Sequence, residues 1–213
     1  MSKESEIMLQ DKIDQLKLSI IDMADPKGIA LRCGMEYNEN SGASCFSLSI
    51  FEIAVEIKYP QLIAYKKDDE IILNTSSQAL VCYYLATTAI YDIDMSPGKW
   101  ESFAELPGGR FYNQAFQDYT GNKLASSIET DINRYSKVAI QLNGSPMEVG
   151  NASYKFIALP KVPLAVVFWC GDEDFPPSCK ILFDSSVSKF LPTDACAILG
   201  SMLTQKILKH LNE

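Results

Sequence analysis

The sequence has very little histidine and no closely spaced cysteine pair. His210 is the one histidine among 213 residues, and the six cysteines form no Cys-x-x-Cys pair. A structural zinc site usually shows such pairs, so we predict no metal site. A Ser-His-Asp or Cys-His arrangement would have to use His210, in the last turn of the chain, which disfavours nucleophilic hydrolases.

Basic residues and long apolar runs are also scarce. Lysine and arginine number 19 against 27 acidic residues, which gives a net charge of −8. This balance disfavours a nucleic acid partner and an anionic membrane surface. No window approaches 18 consecutive apolar residues, and the N-terminus lacks an apolar signal core. We therefore expect a cytoplasmic protein whose cysteines are mostly buried, reduced thiols.

The periodicity of the apolar residues predicts both helices and strands. Thr75-Ser-Ser-Gln78 fits a capping box at the start of a helix that is apolar nearly all round over 79–90. Tyr91 to Arg110 shows no clear periodicity. The other predicted helices are 5–23, 111–119, 123–139 and 193–211, and the predicted strands are 44–57, with a bulge or turn at Phe51-Glu52, 152–158, 163–170 and 179–184.

Strands early and late in the chain, with helices between them, favour one fold class. We predict an α+β fold in a single domain, residues 1–213, with a mainly antiparallel sheet covered by helices. The length is sufficient for one such domain to bury most of its apolar surface without disulfides.

Three ordered blocks of the sequence stand out: Trp100–Tyr112, Ala158–Leu164, and Gly171–Pro176 with Ile181–Asp184 and Phe190–Asp194. They resemble the signatures of the DUF3786 family, a domain of unknown function in anaerobic bacteria and archaea. Some members carry an additional four-cysteine iron–sulfur domain, of the kind found on corrinoid iron–sulfur proteins. The resemblance therefore implies anaerobic redox or corrinoid-linked one-carbon metabolism. This chain has no such cysteine-rich segment, so no cluster of its own is expected.

The first candidate site is a glycine-rich loop followed by aromatic residues. Two glycines allow close approach to a ligand, and an arginine can clamp a phosphate or carboxylate. Phe103 and Phe116 add further aromatic surface, so a pocket for a flat, partly anionic ligand is one interpretation. A tight turn beside ordinary core is the other. The candidate residues are Trp100, Glu105, Gly108, Gly109, Arg110, Phe111 and Tyr112.

The second candidate site is the acidic segment Asp172, Glu173 and Asp174, followed by Phe175. Carboxylates bind hard cations or share a proton in acid–base catalysis, but consecutive residues of an extended segment point to opposite faces. A charged hairpin tip is the alternative, with Asp184 capping a short helix at Ser185. In a mixed interpretation, Asp172 or Asp174 accepts hydrogen bonds from the turn while Glu173 faces solvent.

Three functions follow from these features as expectations. The leading one is a non-catalytic ligand-binding or redox-accessory module of an anaerobe, with a corrinoid (cobalamin) as its cofactor. The second is an enzyme that acts on an anionic metabolite with Arg110 and the acids from Asp172 to Asp174. The third is an adaptor for a redox or iron–sulfur partner protein.

Overall fold

The computed structural model describes residues 3–40, 43–88 and 98–213. Within these ranges, seven α-helices and nine strands form an α+β fold with two antiparallel sheets. The helices are α1 (Lys3–Asp22), α2 (Pro26–Cys33), α3 (Thr75–Thr88), α4 (Asn113–Tyr119), α5 (Gly121–Ile128), α6 (Ile132–Gln141) and α7 (Thr193–Leu211). The strands are β1 (Glu36–Asn40), β2 (Ala43–Ile50), β3 (Ile53–Tyr59), β4 (Ile63–Lys66), β5 (Trp100–Ser102), β6 (Ser145–Pro146), β7 (Ala152–Leu159), β8 (Val162–Trp169) and β9 (Ser178–Asp184).

The predicted fold class is confirmed, with the strands divided between two sheets. The chain also divides into two compact units, and the single-domain boundaries 1–213 stay a prediction. Part of the predicted loop from Tyr91 to Arg110, residues 91–97, lies outside the described residues. Among the residues that are described, no helix combines the length and apolar character needed to cross a membrane.

The first unit contains the four-stranded sheet, in the order β1-β2-β3-β4, and helices α1 to α3. Helix α3 is buried on almost every side, as its uniformly apolar sequence predicts, and α1, α2 and β4 pack against it. The hydroxyl of Tyr84 in α3 donates to the Cys33 carbonyl oxygen at 2.6 Å. The predicted long strand turns back at Phe51-Glu52, where both residues have positive φ, as in a two-residue hairpin turn.

The start of α3 differs from the predicted capping box. The Asn74 side chain caps the helix by accepting from the Ser77 amide at 2.9 Å. Gln78 bonds instead to β4, where its side chain accepts from the Ala64 amide at 3.0 Å and donates to the Ala64 carbonyl at 2.7 Å. The capping-box assignment was therefore wrong, because a tertiary contact with the sheet takes the side chain that it needed.

The second unit contains the five-stranded sheet, in the order β5-β9-β8-β7-β6, together with α4, α5, α6 and most of α7. Helix α5 packs on β9, and Phe103, Phe116 and Phe183 form an aromatic cluster. Gly200 of α7 lies directly against the Phe116 ring, where a side chain would collide. The helix predicted over 123–139 is wrong in one respect, because it is broken at residues 129–131 into α5 and α6.

All six cysteines are free thiols, and four of them are buried, as predicted. Burial raises the pKa of Cys33 and that of Cys179 to about 12. Cys170 is exposed at the end of β8, and Cys45 is partly exposed. The thiols of Cys33 and Cys179 therefore stay protonated at neutral pH and behave as small apolar side chains.

Candidate functional site

The glycine-rich loop begins where β5 is attached to β9. Asp184 is buried, with 8% of its surface exposed, and accepts from the Gly98 amide at 3.0 Å and from the Ser186 amide at 2.9 Å. The Ser186 hydroxyl is a further donor to the same carboxylate. Trp100, one of the predicted site residues, is half-buried opposite Asp184 in the β5–β9 register. Asp184 thus ties the residues before β5 to the turn after β9. The short helix predicted at Ser185 is instead a turn followed by a 3₁₀ helix at Val187–Lys189, so Asp184 holds the turn and does not cap a helix at Ser185.

Glu105 is used locally. Its carboxylate accepts from the Ser102 amide at 2.6 Å and from the Ser102 hydroxyl at 2.7 Å, across a 3₁₀ turn at Phe103–Glu105. The hydrogen bonds from Ser102 lower the pKa of this carboxyl below its ordinary value. Glu105 therefore stabilises the turn, although sequence reasoning placed it in a ligand site.

The two glycines of the loop meet different backbone requirements. Gly108 has φ +74°, in the left-handed region that favours glycine. A Cβ at Gly109 would lie 1.9 Å from the Phe103 carbonyl oxygen, so only glycine fits there. Arg110 follows in a second 3₁₀ turn, is exposed, and forms no ion pair with any residue that the structure describes.

The aromatic residues of this segment separate into two groups. Phe103 and Phe116 are buried and stacked, with ring centroids 4.1 Å apart. Phe111 and Tyr112 project outward and are 89% and 67% exposed. The predicted aromatic pocket wall is therefore partly core and partly a solvent-facing pair beside Arg110.

The acidic segment is a turn held by one of its carboxylates. Asp172 Oδ1 accepts from the Asp174 amide at 2.9 Å and from the Phe175 amide at 2.8 Å. The Asp172 amide donates to the Phe175 carbonyl oxygen at 2.9 Å. Glu173 is exposed and free of side-chain partners within the described part of the chain, as the mixed interpretation predicts.

A cavity of about 450 Å³ opens beside this turn. Residues 170–177 form one wall, and Glu129 and Thr130, from the joint between α5 and α6, form the other. Phe175 is 71% exposed at this cavity. The Cys170 amide donates to Asn151 Oδ1 at 2.8 Å, which fixes the first residue of the turn to the neighbouring strand connection. The cavity thus lies between two segments that are each anchored by their own hydrogen bonds.

The two predicted sites do not share this cavity. Its lining includes no residue of the described loop 98–112, so Arg110 and the acids from Asp172 to Asp174 are not brought together there. Across the described ranges, no group of three histidine, cysteine or acidic side chains is arranged to hold a metal ion. Within the described residues, the cavity is therefore a partly apolar cleft lined by carboxylates that have no side-chain partner.

Comparison with family models gives a match over residues 25–206 of the 213, to a domain of unknown function. The chain belongs to the DUF3786 family. No curated protein and no solved structure matches it significantly. The match includes both candidate segments and the α5–α6 joint, and it begins after helix α1 of this DUF3786 chain.

Sequence reasoning missed the Glu129 and Thr130 wall of the cavity in the DUF3786 chain. The run from Gly121 to Gln141 has helical periodicity throughout, and neither glycine nor proline marks a break in its middle. One signal was present, because Asp131 caps α6 by accepting from the Arg134 amide at 2.9 Å. An aspartate inside a long helical pattern can mark a new N-terminus.

Proposed function

We propose that this DUF3786 chain is a non-catalytic binding module of anaerobic metabolism, and that the cavity beside the acidic turn receives its ligand. The observation that carries the proposal is the cavity itself, about 450 Å³ in volume and bounded by two internally bonded segments. Binding sites for small molecules are commonly concave and largely formed before the ligand arrives.

The lining supports a ligand with a flat apolar part and several N–H donors. Phe175 and the two prolines after it supply apolar surface. The carboxylates of Glu129, Glu173 and Asp174 have no side-chain partner among the described residues and are available as acceptors. An anionic group would be repelled here, so a phosphate or carboxylate of the ligand would have to lie outside the cavity.

A corrinoid is the most specific ligand that we propose. Its ring is flat, and its rim carries primary carboxamides whose N–H groups suit carboxylate acceptors. The unpartnered carboxylates of the cavity suit the N–H groups of that rim, whereas they would repel the corrinoid phosphate. His210, near the end of helix α7, does not line the cavity and is therefore not placed to bind cobalt there. The four-cysteine domain that the resemblance implies for some family members, of the kind found on corrinoid iron–sulfur proteins, supports the same choice.

Titration of the full chain with hydroxocobalamin tests this proposal. We expect a shift in the visible spectrum and co-elution, and we expect Phe175→Ser to weaken binding about tenfold, a difference of about 1.4 kcal/mol. The matched control is Glu148→Gln, an exposed acid outside the cavity lining, which is expected to bind as the wild type does. Absence of binding by the wild type at high micromolar concentration would refute the proposal.

The exposed pair Phe111 and Tyr112 favours a second candidate, an adaptor for an iron–sulfur protein. Aromatic side chains left in solvent beside an arginine have the composition of an interface hot spot. The test is to add the four-cysteine domain of a fused family member in trans and measure binding by calorimetry. If the chain is an adaptor, the wild type binds this domain and Phe111→Ser binds it more weakly. Equal heats of binding for the wild type and Phe111→Ser would eliminate this role.

A further inference from the structure

Glu129 holds a backbone conformation that residues with a side chain rarely adopt. It follows the last residue of α5 with φ 48° and ψ −101°. Positive φ places Cβ too close to the neighbouring carbonyl oxygen, which is why glycine is the usual residue at the end of a helix. The chain nevertheless has a glutamate at this position.

The joint around Glu129 is held from both ends. The Glu129 amide donates to the Ala125 carbonyl oxygen at 2.9 Å, as the closing bond of α5. Two residues later, the Asp131 amide donates to the Ile128 carbonyl oxygen at 2.8 Å. The Asp131 side chain then caps α6. These hydrogen bonds hold the backbone on both sides of Glu129.

Glu129 differs in one respect from the other residues that bear a side chain at positive φ. Ala24, Phe51, Glu52, Leu62, Glu70 and Asn143 also have positive φ. None of these six lines the cavity beside the acidic turn, and Glu129 does. Strained residues persist where the surrounding structure holds them, and they are frequent at ligand-binding positions.

We infer that Glu129 is a specificity-determining residue of the cavity, held in a strained conformation so that its carboxylate accepts N–H donors from the ligand. This inference rests on the proposed binding function. It adds that the wall opposite the acidic turn selects ligands by their amide or amine groups. The joint between α5 and α6 is also less stable with glutamate at position 129 than it would be with glycine there.

Two pairs of variants test the inference. Glu129→Gly and Glu129→Ala both remove the carboxylate, but only glycine accommodates the positive φ. Glu52→Gly and Glu52→Ala are matched controls, because Glu52 has φ +67° in a hairpin turn and does not line the cavity. The measurements are the melting temperature and the dissociation constant for hydroxocobalamin, with acetamide as a competitor that presents the amide group alone.

At both positions we expect the glycine variant to melt a few degrees above the alanine variant, about 2–4 °C. Only the two Glu129 variants are expected to lose hydroxocobalamin affinity, by about tenfold. Wild-type affinity in Glu129→Ala would overturn the selective role, and equal melting of the two Glu129 variants would overturn the strain. Failure of the wild type to bind overturns the proposed function and the selective role together, whereas the other two outcomes leave the proposed function in place.

Discussion

The glycine-rich loop and the acidic turn both belong to the family-matched region, yet their side chains have different uses. In the loop, Glu105 bonds to Ser102 and Gly109 lies against a carbonyl oxygen, so its conspicuous residues hold its own backbone. In the turn, Asp172 alone has that task, and Glu173 is left free beside a cavity. A conspicuous sequence segment can therefore mark a demanding backbone path, and the ligand site is better located by side chains that the fold leaves unused.

The largest expected effect is that of Gly109→Ala in the loop. The new Cβ would lie 1.9 Å from the Phe103 carbonyl oxygen, and the backbone would have to move. We expect the free energy of unfolding to fall by about 3 kcal/mol, the upper end for overpacking. Urea denaturation followed by circular dichroism measures it.

Gly108→Ala is the matched control for that experiment. No atom lies within 4 Å of the Cβ position at Gly108, so the cost comes from φ +74° alone. We expect a loss of about 1 kcal/mol. Equal losses for the two variants would show that the close approach at Gly109 is not what the loop depends on.

A smaller effect is expected at Cys179, which lies in β9 after the acidic turn. Cys179 is buried, and its carbonyl oxygen accepts from Gln117 Nε2 at 2.6 Å. Cys179→Ser would bury a hydroxyl in apolar surroundings, so we expect the free energy of unfolding to fall by about 2 kcal/mol. Cys170→Ser is the control at the other end of the same hairpin, and because Cys170 is exposed we expect little change. Thermal melts of both variants check this. Equal melting temperatures for Cys179→Ser and Cys170→Ser would contradict a core position for Cys179.

A loss of about 1 kcal/mol is expected for Asp172→Ala, since two turn amides lose their acceptor. Asp172→Asn keeps an acceptor oxygen and is expected to restore most of the stability. Glu173→Ala, one residue away, is expected to leave stability unchanged because Glu173 has no side-chain partner in the described chain. If Glu173→Ala destabilised as much as Asp172→Ala, the division of roles within the turn would be wrong.

The helices and strands were predicted closely where the apolar residues followed one clear helical or strand period. Helix α7 was predicted at 193–211, and the strands β7, β8 and β9 lie within one residue of their predicted ends. The break between α5 and α6 could not be predicted from glycine or proline, because the residue at positive φ there is Glu129. The role of Gln78 depended on Ala64 in strand β4, fourteen residues earlier in the chain, which local patterns do not report.

The candidate site was predicted less completely, for a physical reason. Aromatic residues have the same appearance in a sequence whether they face the core or the solvent. In the loop, the two 3₁₀ turns decide that Phe103 is buried and that Phe111 and Tyr112 are exposed. The hydrogen-bonding role of Asp172 was among the alternatives, because turn chemistry is local. The opposite wall of the cavity comes from a distant segment and was not foreseen.

The smallest expected effect concerns Glu105 and depends on pH. The side-chain and backbone hydrogen bonds from Ser102 hold its folded-state pKa below the ordinary value of 4.5. Its contribution to stability is therefore present above pH 4.5 and is lost as the pH falls through the lower folded-state pKa. Denaturation midpoints of the wild type and of Glu105→Gln should accordingly differ most near neutral pH and converge in acid. A difference that is independent of pH would mean that the shape of the side chain, and not its charge, holds the turn.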